Sequence, residues 1–348
     1  MRLEELPTLL QTLAVDALLV SAPANVRYLS GFTTPSDGRV LLTMDGFWLI
    51  TDARYEAQAA EESRLPVELR RDWLPWVAEQ VGEGRLGIEA DSLTVATYEE
   101  LHERSPGILV PLQQILAEKR MVKSAEELAS LRKAAQLTDD AFNHILGVLR
   151  PGISEVDVAL ELERVMRSQG AQGKSFDFVV ASGYRSAMPH GVASPKKLES
   201  GDLVTLDLGA TVGGYHADMT RAVAIGAIDA QLRAMYDATL EALIESLAVI
   251  GPGVTGAQVD AVARAVLSRH GLEQYFAHSL GHGVGLQIHE GPKLSKDSTD
   301  VLASGMTVTV EPGVYIPGKG GVRIEDLVLV TETGYERLSN SPREFISV

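Results

Sequence analysis

The chain has 348 residues, 45% apolar and 22% charged, the make-up of a soluble globular protein long enough for two cores. It has no cysteine, which excludes disulfides, thiolate ligands and a cysteine nucleophile, so any metal must sit on carboxylate and imidazole. A net charge of −16 without a basic stripe gives nucleic acid no footprint, and no apolar stretch reaches the length of a membrane span.

The first residues carry acids and Pro7 where a signal peptide would be basic and then apolar, so a cytoplasmic protein is expected. Strands are predicted at Ala17–Ala22, Val40–Met44, Phe47–Thr51, Leu86–Glu89 and Ile108–Pro111, with helices between them at Tyr55–Ser63 and Val95–Glu103. This is an α/β domain over 1–120, and it contains no cluster of catalytic type. A helix then starts at the capping pattern Ser124-x-x-Glu127 and runs to about Leu149. The domain boundary is expected in Ala117–Lys123, with a second domain over 124–348.

That second domain contains an internal repeat. Pro151-Gly152-Ile153-Ser154 opens a helix ending near Gly170, and Pro252-Gly253-Val254-Thr255 opens one ending near Gly271. Leu198–Gly209 (LESGDLVTLDLG) aligns without gaps with Leu302–Gly313 (LASGMTVTVEPG), six of twelve positions being identical and Asp207 falling on Glu311. Each half reads as helices followed by a strand hairpin, so an α+β domain with pseudo-twofold symmetry and helices on one sheet face is expected.

Alternation along Leu203–Leu208 puts Thr205 and Asp207 on one face, and Tyr215–Val223 puts His216, Asp218 and Thr220 on one face. With a turn near Val212-Gly213, Asp207 and Asp218 are expected directly opposite each other. In the second half Glu311 shares a face with Thr307 and Thr309, Gly318–Gly321 turns the chain, and Arg323 and Glu325 return together. Like charges opposed on neighbouring strands destabilise a sheet unless something neutralises them. The same conflict recurring at both ends of a repeat points to divalent cations on hard carboxylate ligands.

Three of the eight histidines, His278, His282 and His289, fall in FAHSLGHGVGLQIHEGP. Gly281, Gly283 and Gly285 argue against a helical His pair, so an extended segment is expected, with only some of the three as ligands. His190, in AMPHGVAS, precedes the first hairpin much as His289 precedes the second.

The segments LDLGATVGGYHADMTR, SLGHGVGLQIHEGP, VTVEPGVY and GGVRIEDLVLV resemble the pita-bread metallopeptidases, a family of methionine aminopeptidase, Xaa-Pro aminopeptidase, prolidase and creatinase. NVRYLSGF (Asn25–Phe32) resembles the creatinase/prolidase N-terminal domain. The resemblance implies two divalent ions, Mn²⁺ or Co²⁺ with Zn²⁺ possible. On it, Asp207 binds one ion, Asp218 and Glu325 bridge both, and His282 and Glu311 complete the second. His190, His278 and His289 match substrate-side histidines, Arg323 matches the arginine beside the last glutamate, and Tyr215 has a supporting role. The implied reaction is attack of a metal-bridging hydroxide on a peptide carbonyl, with Glu311 shuttling the proton and His190 or His289 stabilising the oxyanion. Arg323 would hold Glu325 or grip a substrate carboxylate.

The N-terminal domain argues against methionine aminopeptidase, and the full ligand set argues against creatinase. Prolidase, acting on Xaa-Pro dipeptides as a homodimer whose N-terminal domains dimerise and close the site, is the expected member. Xaa-Pro aminopeptidase on longer peptides and a non-catalytic binding protein are the alternatives. The stretch Thr33–Arg39 is expected as a flexible loop that could contribute to closure, with Asp37 and Arg39 as possible readers of a substrate terminus.

Overall fold

A computed structural model describes residues 5–348; residues 1–4, within the expected N-terminal domain, lie outside the described residues. The chain divides into two compact units, Met1–Arg120 and Met121–Val348.

The first unit runs α1 (Leu6–Thr12), β1 (Ala17–Val20), α2 (Pro23–Ser30), β2 (Arg39–Thr43), β3 (Gly46–Thr51), α3 (Glu56–Glu62), β4 (Val67–Leu69), α4 (Leu74–Val81), β5 (Arg85–Glu89), α5 (Val95–Arg104), β6 (Ile108–Leu112) and α6 (Ala117–Met121). Its single sheet has the order β4-β3-β2-β1-β5-β6. The central strand β1 is buried throughout, because both faces of the sheet are covered. Leu18 and Val20 join Val40 and Leu42 in one core, while Leu19 joins Leu41 and Leu86 in the other. The segment expected as a flexible loop is instead pinned within this unit. Thr33 donates to Glu62 through its N–H and its hydroxyl, both at 2.7 Å, and Pro35–Asp37 forms a 3₁₀ turn whose Asp37 carbonyl accepts from Thr51.

The second unit begins with α7 (Ala125–Leu146) and α8 (Glu155–Ser168). The strands β7 (Gly173–Lys174), β8 (Val179–Ser182), β9 (Leu203–Leu208), β10 (Ala210–Val212), β11 (Tyr215–His216) and β12 (Met219–Ala224) follow. The second half repeats the plan with α9 (Ala230–Ala248) and α10 (Gly256–Arg269), then β13 (Gly281–Gly283), β14 (Glu290–Leu294), β15 (Thr307–Val310), β16 (Gly313–Ile316), β17 (Gly320–Arg323), β18 (Asp326–Val330), β19 (Tyr335–Arg337) and β20 (Ile346–Ser347). Capping boxes start α7 (Ser124 with Glu127), α8 (Ser154 with Asp157) and α10 (Thr255 with Gln258), satisfying backbone donors that a helix leaves open at its first turn.

One half-sheet has the order β20-β12-β9-β8 and the other β14-β13-β15-β18-β19. Phe142, Ile145 and Leu162 of α7 and α8 pack on Val204, Leu206 and Leu208. Leu243, Leu247, Val259 and Val266 of α9 and α10 pack on Val308, Val310 and Val328. Each strand therefore turns its apolar face to a helix pair and its polar face to the opposite side, where the carboxylates gather.

The two hairpins differ in register. In the first, Asp207 pairs with Thr220, and the pairs Leu208–Met219 and Thr211–His216 leave Gly209 opposite Asp218. The turn is Gly213-Gly214, with φ of +59° and +79°. Two left-handed residues suit the two-residue turn whose twist matches the strands, and glycine adopts them without steric cost. Asp207 and Asp218 are thus diagonal neighbours, not direct partners as expected from a turn one residue earlier. In the second hairpin the pairs Val310–Asp326 and Gly313–Arg323 put Glu311 directly across from Glu325.

Candidate metal centre

Asp207 ends the polar face of β9, Asp218 immediately precedes β12, and Glu311 and Glu325 occupy the short breaks between β15 and β16 and between β17 and β18. Carboxylate oxygens of Asp207, Asp218 and Glu325 lie within 4.8 Å of one another. The fourth acid, Glu311, comes in through the imidazole of His282, whose Nε2 is 3.3 Å from Glu311 and 3.7 Å from Asp218. His282 is on β13, an extended segment, so the helical reading of the His278/His282 pair does not apply.

Burial makes this cluster costly as bare carboxylates. Asp218 and Glu325 are 5% and 1% exposed. Burial, reinforced by their acidic neighbours, holds both carboxyls well above the usual range. Burial also pushes Glu311 up to about 8, against the pull of Arg323. Two buried oxygens, Asp207 Oδ1 and Glu325 Oε1, have no hydrogen-bond partner. An acid-rich cluster with orphaned oxygens suits cations, which would supply both the missing charge and the missing contacts.

His282 is prepared for the same task. Burial lowers its pKa to about 4, so it is neutral at pH 7. Its Nδ1 lies 3.1 Å from the Gly283 carbonyl and donates to it, which leaves the Nε2 lone pair facing the carboxylates. A backbone carbonyl that sets the tautomer is the usual partner of a metal-binding imidazole. Thr309 steadies the arrangement by accepting from the His282 N–H at 3.0 Å and donating to Glu311 at 3.1 Å.

Arg323 is 4% exposed and lines the same cavity. Its Nη2 donates to Asp207 at 2.6 Å, its Nε to Thr220 at 3.0 Å, and its Nη1 to Tyr315 at 2.7 Å and to the Pro189 carbonyl at 3.0 Å. The Thr220 hydroxyl in turn donates to Glu325 at 2.7 Å. Arg323 thus reaches Glu325 through Thr220 and Asp207 directly.

His278 donates from Nδ1 to the Ser279 carbonyl and therefore accepts at Nε2 from Tyr315, 3.0 Å away. Both nitrogens are engaged, so His278 lines the cavity as a support for Tyr315 and offers no free nitrogen to it. His190 is exposed at the cavity wall, and the ring of His289 stands edge-on to that of His282 at 4.4 Å. Tyr215 bonds Glu127 at 2.8 Å. Thr220, Thr309 and Tyr315 were not singled out from the sequence. Thr220 had a usable signal, since it shares the face of Asp218; Tyr315 acquires its part only from the packing of distant segments.

Asp207, Asp218, His282, Glu311 and Glu325 line a cavity of about 350 Å³ that also includes Phe176, Val192 and Ile288. Metallopeptidase family M24 matches residues 129–332, and the creatinase/prolidase N-terminal domain matches residues 2–122. This chain belongs to the M24 metallopeptidase family. Its M24 half has the pita-bread fold, with the creatinase-type domain before it. Similar proteins include the Xaa-Pro dipeptidase of Pyrococcus furiosus, 38% identical over 99% of both chains. An Xaa-Pro dipeptidase structure from Bacillus anthracis superposes with a TM-score of 0.96 at 42% identity, over 99% of this chain and 98% of that one. The X-Pro aminopeptidase structure from Thermotoga maritima gives 0.91 at 35%, over 98% and 100%. As an M24 peptidase the chain is a metal-dependent hydrolase, and no helix among its described residues is long and apolar enough to cross a membrane.

Proposed function

We propose that this M24 peptidase hydrolyses Xaa-Pro dipeptides at a two-metal centre held by Asp207, Asp218, His282, Glu311 and Glu325. The observation that carries the reading is the convergence of four acids and one neutral imidazole on a single small cavity, with unpaired oxygens on Asp207 and Glu325. Mn²⁺ or Co²⁺ suits this oxygen-rich set, and Zn²⁺ is the third choice. Bound there, the ions supply Lewis acidity and bring the pKa of water from about 16 to near 7.

The chain's own groups do the rest. Arg323 fixes Asp207 with one oxygen free, and Thr220 fixes Glu325 with one oxygen free, so both acids present a single defined donor. Glu311 carries the proton from the attacking water to the proline nitrogen. His190 and His289, at the cavity wall, donate hydrogen bonds to the oxyanion that develops on the carbonyl. Phe176, Val192 and Ile288 give the proline ring an apolar wall and exclude water from it. A volume near 350 Å³ is at the small end for ligand sites, which favours a dipeptide.

The likeness to an X-Pro aminopeptidase keeps one competing reading, cleavage of longer peptides. Metal content and kcat/KM on an Xaa-Pro dipeptide and an Xaa-Pro-Xaa tripeptide separate them. Two ions per chain and at least a tenfold preference for the dipeptide are expected. Preference for the tripeptide overturns the dipeptidase assignment, and a metal-free chain inactive on both points to a binding protein.

A further inference from the structure

Arg221 follows Thr220 on β12 but points away from the metal centre, and it is among the largest fully buried side chains of the molecule. A guanidinium carries five N–H donors in a fixed plane, and here every one has an acceptor. Nε donates to the Pro342 carbonyl at 2.8 Å. Nη1 donates to the Thr220 carbonyl at 2.8 Å and to the Glu325 carbonyl. Nη2 donates to Asp326 Oδ1 at 2.7 Å and to the Ser341 carbonyl at 2.9 Å. Asp326 is fully buried and also faces Arg337 and Arg343.

The two carbonyls on Nη1 belong to different halves of the duplicated unit. Thr220 lies in the first half, where its hydroxyl holds Glu325 Oε2, and Glu325 lies in the second. The Glu325 N–H donates to the Thr220 carbonyl at 3.0 Å, so Glu325 is held at this junction by both its N–H and its carbonyl. Both half-sheets thus meet at a contact that Arg221 closes from behind.

We propose that Arg221, oriented by Asp326, is a positioning residue that locks the two half-domains in the register at which Glu325 can share ions with Asp218 and Asp207. The inference rests on the two-metal reading above. It is geometric: what matters is the planar fork that puts two carbonyls on Nη1 and Asp326 on Nη2, not the positive charge of the arginine group. Lysine keeps the charge but offers three donors on one atom and cannot span both carbonyls and Asp326.

The test titrates Mn²⁺ into chelator-stripped wild type, Arg221→Lys and Arg343→Gln, with circular dichroism on each. Arg343→Gln removes one charge from the cluster without touching either carbonyl. Two ions are expected on wild type, with Arg343→Gln within twofold of its affinities. Arg221→Lys, natively folded, is expected to bind the weaker ion at least tenfold less tightly and to lose kcat with KM within twofold. If Arg221→Lys does not fold, Asp326→Asn replaces it, with at least a threefold loss expected at the same ion. A folded Arg221→Lys, or Asp326→Asn in its place, with wild-type affinity for both ions overturns the inference alone. Equal weakening by Arg343→Gln also overturns it, in favour of a charge effect. A wild-type chain that holds fewer than two ions brings down the metal reading and this inference together.

Discussion

Glu311 and Glu325 face each other directly across the second hairpin, whereas the corresponding position to Asp207 in the first is taken by Thr220. The repeat thus keeps the chemistry of the acids but not their pairing. The directly opposed acids lie in the second half, and the threonine in the first half donates to one of them.

Removing one acid of that opposed pair should have opposite effects without and with metal. Glu325→Gln relieves a buried like-charge opposition, so the metal-free variant should unfold at a temperature equal to or a few degrees above wild type. The same change should abolish the rise in melting temperature on adding Mn²⁺ and lower kcat/KM by at least about a hundredfold, more than the loss typical of a residue one step removed from a metal. Thermal unfolding with and without Mn²⁺ reads both arms.

The pH dependence of the metal-free protein follows from opposed shifts. His278 and His282 drop from 6.5 to about 4, so the unfolded chain binds more protons between those values and these groups add stability as pH rises to 6.5. Glu311 rises from 4.5 to about 8, so the folded chain binds more protons and loses stability as pH climbs through that range. Above 6.5 only the carboxylate effect remains. Metal-free protein should therefore lose melting temperature between pH 6.5 and 8, and Mn²⁺ binding at pH 7 should release protons, seen as a buffer-dependent heat.

Arg323→Met leaves the partly buried Asp207 without its ion partner. Breaking such a pair costs about 3–5 kcal/mol, or roughly 10 °C of melting temperature for a unit of this size. The kcat should fall by about 10–100-fold, as for other groups that orient metal ligands. Calorimetry and steady-state kinetics on Arg323→Met check both.

Tyr315→Phe takes the hydroxyl from between Arg323 and His278 and leaves His278 Nε2 without its donor. A loss of about 1–3 kcal/mol is expected for an unsatisfied buried acceptor. The His278 ring should also become free to titrate differently, which its carbon-bound proton shift followed against pH would reveal.

Much of this centre was legible in the sequence, and the reasons are physical. Period-two alternation put Asp207, Asp218, Glu311 and Glu325 on polar faces, and the Ser124/Glu127 pattern marked the start of α7 because a capping box is a local device. The register of the first hairpin was misjudged because it depends on where two left-handed residues fall, and Gly213-Gly214 was as open to the chain as Val212-Gly213. The bonds of Arg323 to Asp207 and of Arg221 to Pro342 span more than a hundred residues. No local pattern announces such contacts. Helix α9 gives only a weak periodic signal, because its half-exposed Ile244 stands beside the buried Leu243 and Leu247 and widens the apolar face.

Gly281 and Gly283 flank His282 where a Cβ would stand 2.0 Å from the Thr309 carbonyl oxygen and 1.9 Å from that of Gly291. Both obstacles are backbone and cannot swing aside. Every single-base change that replaces glycine brings in a residue with a Cβ or a stop codon. The strand that presents the imidazole therefore has no neutral neighbours in sequence space at these two positions. Random variants of this protein should show His282 bracketed by two of its least tolerant sites, though neither glycine touches a substrate.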